Sequence, residues 1–421
     1  MSRLTALGLS LLTVVTWALV LAVLTGRAEL VIVTIPLLIV LLRGTRAIGG
    51  GELSVAHAVS AGRVVERERV TVTVTVTGTP ALPLVELVDP LPSTTRLVGG
   101  RNHALLTLGG DGHPAWTYEI ECVRRGPLEL GRVHARLWDR AGLRAHEMAV
   151  HDPKLVRVYP RTVNVRRLPR PRRTQTSVGN YVAASVGEGL EPGDIRPFAP
   201  GDRIRHVNWR ASLRWHRLYV TQYQEERNAD VVLMLDSLAE FGEPPGTTLD
   251  HSIRAAASLA AAYLARKDRV GLIEYGGFFR SVRPGTGRRQ YERVLDALHR
   301  ADVLFTYVTR DIALVPKRVL PAQALVVAIT PLLERRFEQA VMDLAARGFD
   351  VVILSPSPIA LVRRGASATT DLACRFWTLD RRTRFDALRR LGLPVVDWDP
   401  AEPLDVALDS LARLRRQRMA R

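Results

Sequence analysis

Between Gly193 and Asp236 the chain concentrates its most reactive residue types. It holds a Pro200-Gly201-Asp202 turn, closely spaced arginines, Trp209 and Trp215, and an apolar run that stops on a lone carboxylate, Asp236. That mixture suits recognition. Carboxylates pair with guanidinium groups, and tryptophan faces stack on cations. Asp202 is expected to pair with Arg203 or Arg205, and Trp209 or Trp215 to stack an arginine.

Catalytic patterns are not legible. Gly276-Gly277 reads as a hairpin turn, and Gly285-Thr286-Gly287 is too short for a dinucleotide-binding loop. Ser237 lacks the glycine-flanked elbow of hydrolases. His206, His216, His251 and His299 form no pair at metal-ligand spacing. Cys122 and Cys374 are far apart and form neither a disulfide framework nor a metal set. A non-enzymatic protein without a cofactor is expected.

Net charge is +17, carried by arginine with only Lys154, Lys267 and Lys317 added. Such a balance favours anionic partners: phospholipid, nucleic acid or an acidic protein face. The basic residues are scattered, without the stacking platform of nucleic-acid modules.

Residues 4–25 are uncharged and almost wholly apolar, and residues 30–42 are apolar again around Pro36. About 20 such residues cross a bilayer as a helix. The pair predicts a transmembrane helical hairpin over 1–48, turning near Arg27. A signal peptide fits less well, since a second apolar run follows at once. Arg3, Arg43 and Arg46 flank the hairpin, whereas Arg27 is offset by Glu29. By the positive-inside rule the remaining chain is expected on the cytoplasmic side of the membrane.

Residues 50–160 read as all-β. From 69 to 77 valine and threonine alternate strictly, the mark of a half-buried antiparallel strand. Short runs at 82–88, 103–108, 116–122, 131–137, 145–150 and 155–159 predict an immunoglobulin-like sandwich. Residues 161–190 read as a basic linker, extended and exposed. Its arginines (Arg161, Arg166, Arg167, Arg170, Arg172, Arg173) either hold anionic lipid head groups or are simply solvated.

Residues 191–421 alternate strands with helices. Strands are predicted at 229–235, 269–275, 278–282, 324–330, 349–354 and 394–396, and helices at 250–267, 291–300, 334–347, 383–391 and 403–418. This is an α/β domain with a mostly parallel sheet and helices on both faces. Ligands in such folds bind beyond the carboxyl ends of the strands. Asp236, Glu240, Thr286 and Thr330 are expected there.

At this level the chain resembles the domain of unknown function 58 family. The resemblance rests on Ile195-Arg196-Pro197-Phe198, Pro200-Gly201-Asp202, Arg205, Asn208-Trp209-Arg210, Ser212, Leu218-Tyr219, Glu225-Glu226 and the strand from Val231 to Asp236. It implies a membrane hairpin, a β-domain and a doubly wound von Willebrand factor A-like domain, partnered with a MoxR-type AAA+ ATPase. Such domains often hold a divalent cation, and the implied set here is Asp236, Glu240 and Thr286, with Leu238 where a hydroxyl is needed and Pro331 near the later aspartate. That is a degenerate magnesium site. Arg196, Asp202, Arg205, Trp209 and Arg210 are the expected docking residues, arginine and tryptophan being dominant in interfaces.

The leading expectation is therefore a membrane-anchored adaptor whose α/β domain docks a protein. The alternatives are a divalent-metal-dependent ligand-binding receptor and a basic protein that binds nucleic acid or anionic lipid.

Overall fold

The computed structural model describes residues 2–44, 53–78, 84–107, 114–138, 142–169, 175–200, 202, 204–277, 279–305, 312, 315–362 and 367–419. Gly201, Arg203, Arg170, Pro171, Arg172 and Arg173 lie outside them, as do the side chains of Glu225 and Glu226. The chain divides into two compact units, Met1–Tyr159 and Pro160–Arg421.

Unit 1 begins with β1 (Ser2–Leu4), α1 (Ala6–Thr25) and α2 (Ala28–Gly44). Thr5 caps α1, its hydroxyl oxygen accepting from the Gly8 amide, and Gly26 ends the helix in the left-handed conformation. α1 is long and apolar enough to cross a membrane; α2 has an apolar stretch of 28–42, short of the usual span. The predicted hairpin thus has one arm of full length. The buried residues of α1 are Gly8, Val15 and Ala22, a seven-residue spacing that lines one stripe.

The β elements are β2 (Leu53–Val59), β3 (Arg63–Val65), β4 (Arg69–Gly78), β5 (Leu84–Val88), β6 (Thr95–Gly100), β7 (His103–Leu106), β8 (Ala115–Cys122), β9 (Gly126–Trp138) and β10 (Arg144–Tyr159). One sheet runs β2-β4-β8-β6 and the other β1-β10-β9-β5-β7, with β3 beside β10. Their inner faces share one core. Val70, Val72, Val74 and Val76 of β4 are fully buried, as the alternation predicts. Each stabilises the fold by roughly 1.5–3 kcal/mol.

Two features departed from expectation. The runs at 145–150 and 155–159 are a single strand, whose register shifts between His151 and Lys154. Gly131 sits opposite that bulge at φ 94°, where any Cβ would strike the Asp152 carbonyl. Ser2–Leu4 pairs antiparallel with Arg144–His146, and the Thr5 hydroxyl donates to the Gly142 carbonyl at 2.7 Å. The start of α1 is therefore stitched to the β-sheet.

This core also holds charge. Asp89 accepts from the Tyr118 hydroxyl at 2.6 Å and lies 3.1 Å from His57 Nε2, and the His57 amide donates to Asp152 at 2.6 Å. Burial, then the bond to Asp89, drives the Tyr118 pKa far up, so the phenol stays a donor.

Unit 2 opens at Pro160, and residues 161–169 belong to the stretch 161–190 that reads as exposed linker. They are extended but docked. Val165 and Leu168 enter the hydrophobic core, the Val163 amide donates to the Ser258 hydroxyl at 3.0 Å, and Tyr263 donates to the Pro169 carbonyl at 2.7 Å. Arg167 pairs with Asp409 at 2.6 Å. The unit continues with β11 (Gln175–Pro197), α3 (Trp209–Trp215) and β12 (Tyr219–Asn228); β11 and β12 pair antiparallel.

The main sheet comprises β13 (Asp230–Ser237), β14 (Arg269–Gly276), β15 (Phe279–Gly285), β16 (Leu325–Ile329), β17 (Asp350–Pro356) and β18 (Val395–Trp398). Their order is β15-β14-β13-β16-β17-β18, parallel except for β15. The helices are α4 (Thr248–Ala265), α5 (Gly287–His299), α6 (Arg335–Ala346), α7 (Ala368–Arg390) and α8 (Leu404–Met419). α4, α5 and α8 cover one face of the sheet, α6 and α7 the other. The cap of α4 is Thr247, which forms a capping box with Asp250. α7 starts well before the predicted residue 383, because only its last two turns bury a regular apolar face.

Candidate functional site

β13 is apolar and buried along its whole length because it lies mid-sheet with helices on both sides. From β13 the chain winds outward through β14 and β15, then returns to begin β16 on the other flank. The winding reverses between β13 and β16, the place where open α/β sheets bind ligands. Asp236 ends the first of these strands and Thr330 follows the second.

These two residues close the crevice. Thr330 donates its hydroxyl to Asp236 Oδ2 at 2.6 Å, and the Leu238 amide donates to Oδ1 at 3.0 Å. Thr330 Oγ1 in turn accepts from the Leu332 amide at 2.9 Å. Asp236 and Thr330 are both buried. Burial pushes the Asp236 pKa up to about 7, against the two hydrogen bonds that lower it. Next to it Ser237 donates to buried Glu274 at 3.3 Å, and Arg280 lies 3.7 Å from the same carboxylate.

The expected metal set is not brought together. Thr286 follows β15, which runs antiparallel, and Gly285 pairs with Val270 while Asp236 pairs with Tyr275. Thr286 therefore sits at the opposite edge of the sheet, roughly 16 Å along the strands at ~3.3 Å per residue. Glu240 lies half-buried on the loop after β13. Both Asp236 oxygens are engaged, and Leu238 offers no ligand. Among the described residues no group of three or more His, Cys, Asp or Glu could hold a metal ion. Even a cation that keeps several waters needs its protein oxygens to face one point, and with Asp236 bonded on both oxygens and Thr286 at the far edge these residues do not fit one.

Sequence reasoning missed Arg381. It is buried on α7, donates to the Pro331 carbonyl at 2.6 Å and the Ser355 hydroxyl at 3.0 Å, and pairs with Asp397 at 2.7 Å. One guanidinium thereby joins the carboxyl ends of β16, β17 and β18. The signal was available: Arg381 stands at helical spacing between Trp377, Phe385 and Leu388, where an apolar residue belongs.

The expected docking residues split into two groups. Arg196 forms a bidentate pair with Asp202, at 2.7 and 2.5 Å, so Asp202 meets Arg196 instead of Arg205, while the other expected partner, Arg203, lies outside the described residues. That bond, followed by the Ala199 amide, holds the Asp202 carboxyl below its usual range. Asn208 caps α3 by accepting from the Ala211 amide, and Ser212 Oγ accepts from the Tyr219 amide at 2.9 Å. These bonds clasp α3 to β12. Trp215 packs on Tyr219 with centroids 4.7 Å apart, in place of an arginine. Trp209, Arg205 and Arg210 point outward and are exposed.

This clasp and the strand it leads into lie within a stretch that matches one family model. Residues 194–390 match the model of a family described as protein of unknown function DUF58. Uncharacterized proteins of Mycobacterium tuberculosis and Mycobacterium bovis are each 29% identical over 120 residues, 28% of this chain and 38% of theirs. The chain thus spans well under half the length of these relatives. Among solved structures, a non-cellulosomal cohesin from the archaeon Archaeoglobus fulgidus aligns with 25% of this chain and 91% of its own, at 12% identity and a TM-score of 0.18.

Proposed function

We propose that this chain is a membrane-anchored, non-enzymatic adaptor whose α/β unit binds a protein partner. The observation that carries it is the closed switch point. Where an α/β sheet would take a small ligand, Asp236 and Thr330 bond to each other and to the backbone. The match to DUF58 is consistent with a non-catalytic role. Membrane anchoring is supported by α1, whose mean hydropathy over its best window is 2.4. Both hairpin ends are more basic than its turn, which favours the cytoplasmic side for the rest.

Unit 2 reads as a doubly wound, von Willebrand factor A-like domain, supported by its strand order and antiparallel edge strand. The two sheets of unit 1 read as an immunoglobulin-like sandwich. The expected partner is a MoxR-type AAA+ ATPase. The donor geometry around Asp236 does not favour a metal-dependent receptor.

The test is affinity capture of the solubilised full chain from membranes. An AAA+ ATPase is expected among the recovered proteins, and its consistent absence would overturn the partner. Recovery that survives Trp209→Ala with Arg205→Ala would leave the adaptor standing and move the contact off that face.

A further inference from the structure

The exposed surface of the clasp is unusually apolar. Ile204 is 73% exposed, Trp209 61%, Leu213 76%, Trp215 51% and Leu218 48%. These side chains come from α3 and its flanks, while the helix buries only Ala211 and Ser212. Along this stretch of sequence the charge has one sign. Between Asp202 and Glu225 the chain has no acidic residue, and Arg205, Arg210, Arg214 and Arg217 are all exposed.

We propose that this face lies against the anionic phospholipid surface of the membrane that holds the chain. The proposal rests on the membrane-anchored reading above, but not on a protein partner. Three arguments carry it. Tryptophan rings settle at the head-group level, arginine forks match phosphate oxygens, and leucine and isoleucine enter the acyl boundary. On a nucleic acid Leu213 and Ile204 would have no role. A seven-residue helix inserts too little to bind alone; α1 supplies the second anchor, since tethering raises the local lipid concentration the face experiences. The basic segment first expected to meet lipid is partly spent, because Arg167 pairs with Asp409.

The experiment uses the full chain reconstituted in vesicles whose phosphatidylcholine carries brominated acyl chains, with or without about a quarter phosphatidylglycerol. The fluorescence of the Trp209→Phe/Trp215→Phe chain is subtracted from that of the wild type, leaving the signal of those two rings. In anionic vesicles that signal should fall about twofold through contact quenching. It should recover in pure phosphatidylcholine, in high salt, and in an Arg210→Glu/Arg214→Glu chain of unchanged circular dichroism.

Equal, unquenched signals in both vesicle types would overturn the proposal. Shielding of the rings only on addition of an ATPase or of nucleic acid would overturn it too and give the face to that partner. The residual signal comes from Trp17 of α1 together with Trp116, Trp138, Trp377 and Trp398, so the Trp17 share, isolated by subtracting a Trp17→Phe chain, is the internal control. If Trp17 is quenched while the difference signal is not, the face fails and the anchor stands. If Trp17 is unquenched as well, the anchor itself fails.

Discussion

Asp236 shows what one residue gains and loses by sitting at the end of a buried strand. Its carboxyl has two hydrogen bonds, yet burial dominates and lifts its pKa from the ordinary 3.8 to about 7. Between those values the folded chain keeps a proton that the unfolded chain releases. The stabilisation is complete below about pH 4 and is lost as pH rises through 7, on the order of 4 kcal/mol in all. Asp236→Asn removes the titration. Denaturation of the full chain in detergent, followed through its helical signal from pH 4 to 7, should show the variant gaining on the wild type by that amount. Parallel pH profiles would refute the assignment. The same burial explains why the carboxylate reads misleadingly in sequence. A strand ending in aspartate at a switch point looks like a ligand, but a hydroxyl one strand away, Thr330, already occupies it.

Among the elements, α7 is the most instructive. Its visible apolar period covers only its C-terminal part, and Arg381 interrupts that period. The interruption is structural: three strand ends converge on one guanidinium, which also lies over the Phe385 ring at 4.9 Å. Arg381→Ala leaves a buried carbonyl and a buried hydroxyl without their donor. The expected loss is about 2–4 kcal/mol, below the full value for a buried pair because Asp397 is partly exposed. Arg381→Lys should not restore it, since an ammonium cannot serve this fan of acceptors in the same geometry. Urea titration of both variants measures this; a lysine chain as stable as the wild type would refute it. The segment 160–169 teaches a related lesson. Its prolines and arginines look like linker, but Val165 and Leu168 are spaced to reach the core from an extended backbone.

For the molecule as a whole, the proposed anchoring rests on the N-terminal helices, of which α1 is long and apolar enough to cross a membrane. The full chain should fractionate with membranes and resist alkaline carbonate. A chain lacking residues 1–44 should appear in the soluble fraction, and full-length protein recovered there without detergent would refute the anchor. The net charge of +17 does not separate a lipid surface from an acidic protein. The arginines themselves fall into two sets. Arg167, Arg196 and Arg381 are paired inside unit 2, whereas Arg210, Arg214 and Arg217 lie exposed around α3.

Periodicity alone determined the kinds of element: the apolar run of α1, the valine face of β4, and the alternation of strands and helices in the last 190 or so residues. These follow from local rules, since a helix or strand shows its buried face in its own spacing. Tertiary structure alone decided the pairings. Local spacing could not reveal that Ser2–Leu4 joins β10, that Thr286 falls at the far edge from Asp236, or that Arg196 meets Asp202. Each depends on strand direction and on residues distant in the chain, and direction is fixed only when the whole sheet closes over its core.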